Sequence, residues 1–266
     1  LREYLKAQND KELKAKVDAI INDTDLKALY DEELHLFHIG YNESAGEYAG
    51  HYDLIASEAR ILSYIATSVH YDIVHWMRLS RECVALSDNT YVSWSGTAFE
   101  YLMSEIFLET PRFSMLGHTI NNVVKEQINS KVRGIWGISE SGFYRFDETL
   151  NYEYKAFGLR ELSLRSDYSR PVITPYSSFL ALDINPNAAV INLNNIKNRS
   201  MYGQYGFYEA LDMYSGEKPV NSFMAHHLGM SIAALANFLK DGVIRKYFNL
   251  NNAIAASRLI LTESIV

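Results

Sequence analysis

DLIASEARILSYIATSV (53–69) carries the clearest periodic signal in the chain. Leu54, Ile55, Ile61, Leu62, Ile65 and Val69 recur at the spacing of one helical stripe, which predicts an amphipathic helix over 53–69 with its apolar side toward a core. Glu58 falls inside that stripe, four residues after Leu54 and four before Leu62. A carboxylate there is either paired with a cation or desolvated, and desolvation raises its pKa. A raised pKa suits a general acid near neutral pH; a buried ion pair with an arginine is the structural alternative.

Outward from this segment, helical spacing recurs over Asp10–Ile21, Ser95–Leu108, Leu116–Ile128, Ser222–Leu239 and Asn251–Glu263. Two shorter helices, Pro175–Asp183 and Asn187–Ile196, flank the Asn185–Pro186 turn. LHLFHIGYN (34–42) alternates apolar and polar residues and reads as a strand. Residues 134–160 read as a long ordered loop with short strands, and MYGQYGFYEALDMY (201–214) as a Gly-broken aromatic segment. Helices joined by aromatic loops, with no internal repeat or linker, predict a mainly α fold with small β excursions and a single domain over 1–266.

The balance of 25 basic against 32 acidic residues, net −7, excludes the basic surface that a nucleic-acid binder needs and fits a neutral substrate. No apolar run is long enough for a membrane span, so no membrane contact by this segment is expected. The lone Cys83 allows neither an internal disulfide nor a cysteine metal cluster, which points to a reducing, cytoplasmic compartment. The charged first residues, without Met or an apolar signal region, read as a segment of a longer polypeptide. The 19 Tyr, 12 Phe and 3 Trp exceed what a core alone requires, and flat faces with hydroxyls suit a sugar groove; a biased genome explains the count equally well.

Glu140, in WGISESG, stands between Gly137 and Gly142, where the backbone can approach a ligand closely; a loop-bracing role is the alternative. Glu209 and Asp212, three apart, and Asp147 read as hydrogen-bonding groups rather than catalysts. His226 and His227 point about 100° apart on a helix and make poor chelate partners. His35 and His38 would share a face only in a helix, which the alternation of 34–42 disfavours. With no HExxH, Cys/His cluster or acidic calcium loop, neither a metal nor any other cofactor is expected. WSGTAF (94–99) lacks the glycine two residues before Ser95 that a nucleophile elbow needs, and no GK[ST] follows the glycines of YGQYGFY.

YDLIASEAR (52–60), VSWSGTAFEYLM (92–103), WGISESGFY (136–144), NYEYKAFG (151–158), YGFYEALD (205–212) and MAHHLGMSIAALAN (224–237), taken together and in this order, closely resemble the glycoamylase-like domain of bacterial cyclic β-1,2-glucan synthases. The resemblance implies an (α/α)-barrel of the six-hairpin toroid type, related to the β-1,2-glucanases and incomplete at this chain length. It implies closure of linear β-1,2-glucan by transglycosylation, with flanking glycosyltransferase and phosphorylase-like domains elsewhere in an inner-membrane-anchored polypeptide. In that family the Glu of SEAR is the acid/base and the Glu of ISES the nucleophile, roles that carry to Glu58 and Glu140. Trp94, Trp136, Phe207 and Tyr208 are expected to wall the cleft, with Asp147, Glu209, Asp212, His226 and His227 as polar substrate contacts. Endo-β-1,2-glucanase activity and a non-catalytic glucan-binding module are the competing readings.

Overall fold

The computed structural model describes residues 1–69, 73–86, 88–165 and 171–264. Its helices are α1 (Arg2–Ala7), α2 (Lys11–Asp23), α3 (Arg60–Val69), α4 (Val74–Arg78), α5 (Ala98–Leu102), α6 (Met115–Asn129), α7 (Pro175–Leu180), α8 (Pro186–Lys197), α9 (Ala225–Leu239), α10 (Val243–Phe248) and α11 (Asn252–Ala256). The fold is helix-rich, as the periodicity predicts. Local chemistry sets several of the starts. Asp10, Ser114 and Asn185 accept from the N–H groups of Leu13, Gly117 and Ala188, and Pro186 opens α8 where its missing N–H costs nothing.

The largest core cluster joins Ile55, Tyr64, Trp76, Tyr101, Leu102, Leu116, Ile120, Trp136, Tyr176 and Met230. Around it α5 packs on α6 and α7, α7 on α8 and α9, and α3 on α11. The β structure is short and antiparallel. Two three-stranded sheets, Tyr30–Asp31/Leu36–His38/His51–Tyr52 and Val172–Ile173/Ala210–Asp212/Lys218–Val220, accompany four two-stranded ones among the described residues. The expected loop of 134–160 contains the hairpin Ser141–Phe146/Tyr152–Lys155, and the aromatic segment 201–214 contains the hairpin Tyr202–Gly203/Gly206–Phe207.

The helix expected over 53–69 forms only from Arg60 onward. Leu54 makes a parallel bridge to Ser80, with Ile55 N–H donating to the Ser80 carbonyl (3.1 Å) and Ser80 N–H to that of Asp53 (2.6 Å). Ser57 then caps the turn by accepting from the Ala59 N–H at 3.1 Å. Arg60, 1% exposed, donates to the carbonyls of Ile55 (3.3 Å) and Tyr101 (3.0 Å) and to Glu105 Oε1 (3.1 Å). These contacts use backbone groups that a helix over 53–59 would need internally, so tertiary bonding overrides the local period. Glu58 therefore sits on the turn ahead of α3, not within a helix.

Candidate active site

The approach to Glu140 is immobilised by side chains that stand in for neighbouring strands. The carboxamide of Asn192 on α8 accepts from Trp136 N–H (3.0 Å) and donates to its carbonyl (2.7 Å). Gln127 on α6 brackets Ile138 in the same way, at 2.8 Å each way. Between them Gly137 adopts φ +124°, and a Cβ there would stand 2.7 Å from the Thr174 carbonyl oxygen; the path requires glycine. Ser139 Oγ accepts from Phe99 N–H of α5 (3.0 Å) and lies 2.7 Å from the Tyr176 hydroxyl, which donates to the Glu140 carbonyl (2.9 Å).

The Glu140 carboxylate lies 2.8 Å from the Tyr154 hydroxyl, itself 3.3 Å from His227 Nε2. On the other side of that ring, Nδ1 is 2.9 and 3.0 Å from the two oxygens of Glu209, which also accepts from Gly142 N–H at 3.3 Å. His227 opens the buried stripe His227, Met230, Ser231, Ala234 and Asn237 of α9 and stacks on Tyr176 with ring centres 4.1 Å apart. Tyr154 has one proton to donate. That proton points to either Glu140 or His227, so the hydroxyl couples the two side chains, with Glu209 holding the far side of the imidazole.

Glu58 has weaker support for its anion. Its side chain accepts from Ser57 Oγ at 3.2 Å, and the arginine of its own segment pairs with Glu105. Burial raises the Glu58 pKa first, and the charges of Glu100 and Glu140 add to the rise. Glu140 is also raised, mainly by burial, but Tyr154 and His227 pull it back. Tyr52 connects the two: its phenol is pushed up by burial, then by the charges of Glu58 and Glu140 and by a hydrogen bond to Glu58. Glu100 completes the set from within a capping box, its carboxylate accepting from Ser93 Oγ (2.9 Å), Ser95 N–H (2.9 Å) and Thr97 N–H (2.8 Å), which fixes the 93–97 loop. Both carboxyls are raised first by burial; the Tyr154 hydroxyl and the His227 charge offset the rise at Glu140, and the Glu140 charge adds to the rise at Glu58.

A cavity of about 270 Å³ adjoins the His227–Glu209 pair, with Tyr176, Phe207 and Tyr208 in its wall. Phe207, Tyr208, Glu209 and His227 thus come together as expected of a common wall. His226 lies beside His227, ring centres 4.0 Å apart, on the exposed side. Glu140, His226 and His227 offer ligand atoms within 4.8 Å of one another, but both nitrogens of His227 already have partners. Trp94 is 59% exposed on the loop fixed by Glu100.

One expected wall residue, Trp136, and two expected polar contacts, Asp147 and Asp212, lie away from this cavity. Trp136, 5% exposed, belongs to the main core cluster. Asp212 is fully buried and accepts from Tyr144 N–H (3.1 Å), Ser215 N–H (3.0 Å) and Ser215 Oγ (3.0 Å), bracing the strand after Glu140. Asp147 closes the turn of the 141–155 hairpin by accepting from the N–H groups of Thr149 (2.8 Å) and Asn151 (2.9 Å). Each is engaged by its own surroundings, and none of the three lines the cavity beside His227 and Glu209. Tyr52, Glu100, Tyr154 and Tyr176 were not singled out by the sequence reading. All but Tyr176 lie in the quoted motifs, yet nothing in their spacing marks them.

Residues 125–252 match the family model Glycoamylase, described as "Putative glucoamylase". That match takes in a little under half of the chain. The chain is 36% identical over 264 residues, 94% of its length, to the cyclic β-(1,2)-glucan synthase NdvB of Rhizobium meliloti (strain 1021), and spans 9% of the length of that synthase. The endo-β-1,2-glucanase of Chitinophaga pinensis, solved with sophorotriose and glucose, shares the fold at TM-score 0.76 and 15% identity, over 98% of this chain and 67% of that one. A β-1,2-glucanase of Parabacteroides distasonis gives TM-score 0.76 at 13% identity, over 98% and 42%. No helix among the described residues is long and apolar enough to cross a membrane.

Proposed function

We propose that this chain is a β-1,2-glucan-processing catalytic domain that closes linear glucan by retaining transglycosylation, with Glu140 as nucleophile and Glu58 as acid/base. The observation that carries the reading is the pair itself: two half-buried carboxyls whose charges both act on Tyr52, of which only Glu140 is served by the Tyr154–His227–Glu209 chain. Glu58, held protonated by its surroundings, donates its proton to the leaving glycosidic oxygen. Glu140, its anion supported by Tyr154, attacks the anomeric carbon and forms the glycosyl-enzyme. Glu58, now anionic, removes the proton from an incoming sugar hydroxyl, which displaces Glu140. The hydroxyl comes from the same chain, so a ring forms without net hydrolysis. The Tyr176–Phe207–Tyr208 cavity supplies flat faces on which an acceptor sugar stacks.

In this reading the helices are part of an (α/α) toroid, 1–266 acts as one domain, and its neighbours are the glycosyltransferase and phosphorylase-like parts of a cytoplasmic, membrane-anchored synthase. The likeness to the two glucanases favours hydrolysis as the second reading. Incubation with linear β-1,2-glucan followed by mass analysis separates them: cyclic products resistant to exo-glucosidase support transglycosylation, and new reducing ends support hydrolysis. Unchanged glucan despite measurable binding rejects both. The roles are tested with azide on an activated aryl glycoside. Rescue with retained stereochemistry is expected for Glu58→Gln and with inverted stereochemistry for Glu140→Gln, and the swapped pattern reverses the assignment.

A further inference from the structure

Away from Glu140, the sheet of Tyr30–Asp31, Leu36–His38 and His51–Tyr52 gathers three metal-ligating side chains on one face. His38 pairs directly with His51, and Asp31, opposite Leu36, is the diagonal neighbour of His38. Asp31 Oδ2 lies 2.9 Å from His51 Nε2 and 4.0 Å from His38 Nε2, and all three ligand atoms fall within 4.8 Å of one another.

The donors are oriented by groups outside the cluster. Asp31 Oδ1 accepts from the N–H groups of Glu33 and Leu34 at 2.9 Å each, which leaves Oδ2 for the histidines. His38 Nδ1 lies 3.1 Å from the Ala49 carbonyl oxygen, to which it donates, and Nε2 is the atom turned toward Asp31 Oδ2. Its ring is held by stacking on Tyr48 at 4.3 Å and 20°. Second-partner bonds of this kind, from a backbone carbonyl and backbone amides, are what fixes ligating histidines and carboxylates in metal sites.

Two imidazoles and a carboxylate are the donor set of zinc-class divalent ions. Bonds of about 2.0–2.2 Å allow two ligands of one ion to stand at most about 4.2 Å apart. The two edges from Asp31, 2.9 and 4.0 Å, fall within that span, and the His38–His51 edge, within 4.8 Å, closes to it by a small side-chain adjustment. The side chains are 15–23% exposed, enough for water to complete the shell. We propose that Asp31, His38 and His51 bind one zinc-class divalent ion that pins this sheet. Its consequence reaches the catalytic pair, since the next residue, Tyr52, faces the other side of the strand and bonds Glu58.

The test is calorimetric titration of chelator-treated chain with ZnCl₂, with Co²⁺ as a spectroscopic probe. One equivalent of Zn²⁺, tetrahedral Co²⁺ bands and a higher thermal midpoint on metal addition are expected for the wild type. All three should be lost in His38→Gln and in His51→Gln and kept in His226→Gln, which disrupts the other histidine cluster. If the histidine variants fail to fold, Asp31→Asn carries the test, since its carbonyl still accepts from Glu33 and Leu34. No equivalent bound by the wild type, or an equivalent that survives these changes or disappears in His226→Gln, overturns the site.

Discussion

Replacing Tyr154 by Phe removes the hydroxyl that connects Glu140 to His227 while leaving the ring beside them. The hydroxyl stands 2.8 Å from Glu140 Oε1, and its hydrogen bond is the largest influence holding the Glu140 pKa down against burial. A hydrogen bond to a charged group contributes roughly 1.5–3 kcal/mol, and about 1.4 kcal/mol moves a pKa by one unit. The Glu140 side chain is only partly shielded from water, which favours the low end, so its pKa should rise by about one unit. Because an attacking carboxylate must be ionised, the acid limb of kcat/KM against pH should move upward by about one unit, with a plateau much less affected. The profile is measured with linear β-1,2-glucan, quantifying products by mass at each pH. An acid limb that stays in place, or a loss uniform across pH, would refute the Tyr154 coupling.

Glu58→Gln should stabilise the fold at neutral pH. Burial raises the folded-state pKa above the ordinary 4.5, so the folded chain holds the proton more tightly than the unfolded one, and the native Glu58 costs stability as pH rises through the raised value. Urea midpoints at several pH values should show a gain for the variant near pH 7 that fades toward 4.5; a gain independent of pH would count against a titrating Glu58. Arg60→Met strips the buried Glu105 of its cation and should cost about 3–5 kcal/mol in urea denaturation, whereas a loss below about 1 kcal/mol would mean the pair is dispensable. Gly137→Ala places a Cβ against the Thr174 carbonyl at φ +124° and should cost of order 1–3 kcal/mol while slowing the reaction through misplacement of Glu140; wild-type stability and rate would show that the loop adapts.

The order of helices was legible in the sequence because amphipathic period and capping are local. Asp10, Ser114 and Asn185 start their helices with their own side chains, and α6, α8 and α9 form close to where the apolar spacing places them. Glu58 and Glu140 were legible as candidates because a carboxyl among apolar residues and one between glycines are local oddities too, and the ordered motifs added the family. Only the tertiary structure decided how residues far apart in sequence share protons and backbone bonds. It started the helix expected over 53–69 only at Arg60, because Ser80 takes the backbone bonds of Asp53 and Ile55 and the buried Arg60 side chain is anchored on Tyr101 and Glu105. It sent Trp136 to the core and committed Asp147 and Asp212 to backbone amides, since a free donor nearby is invisible to spacing. It joined Glu140, Tyr154, His227 and Glu209 from across residues 140–227 and Asp31, His38 and His51 across three strands. Hydrogen bonds act over about 3 Å regardless of distance along the chain, so their partners are fixed by packing and strand register and are not written in any local pattern.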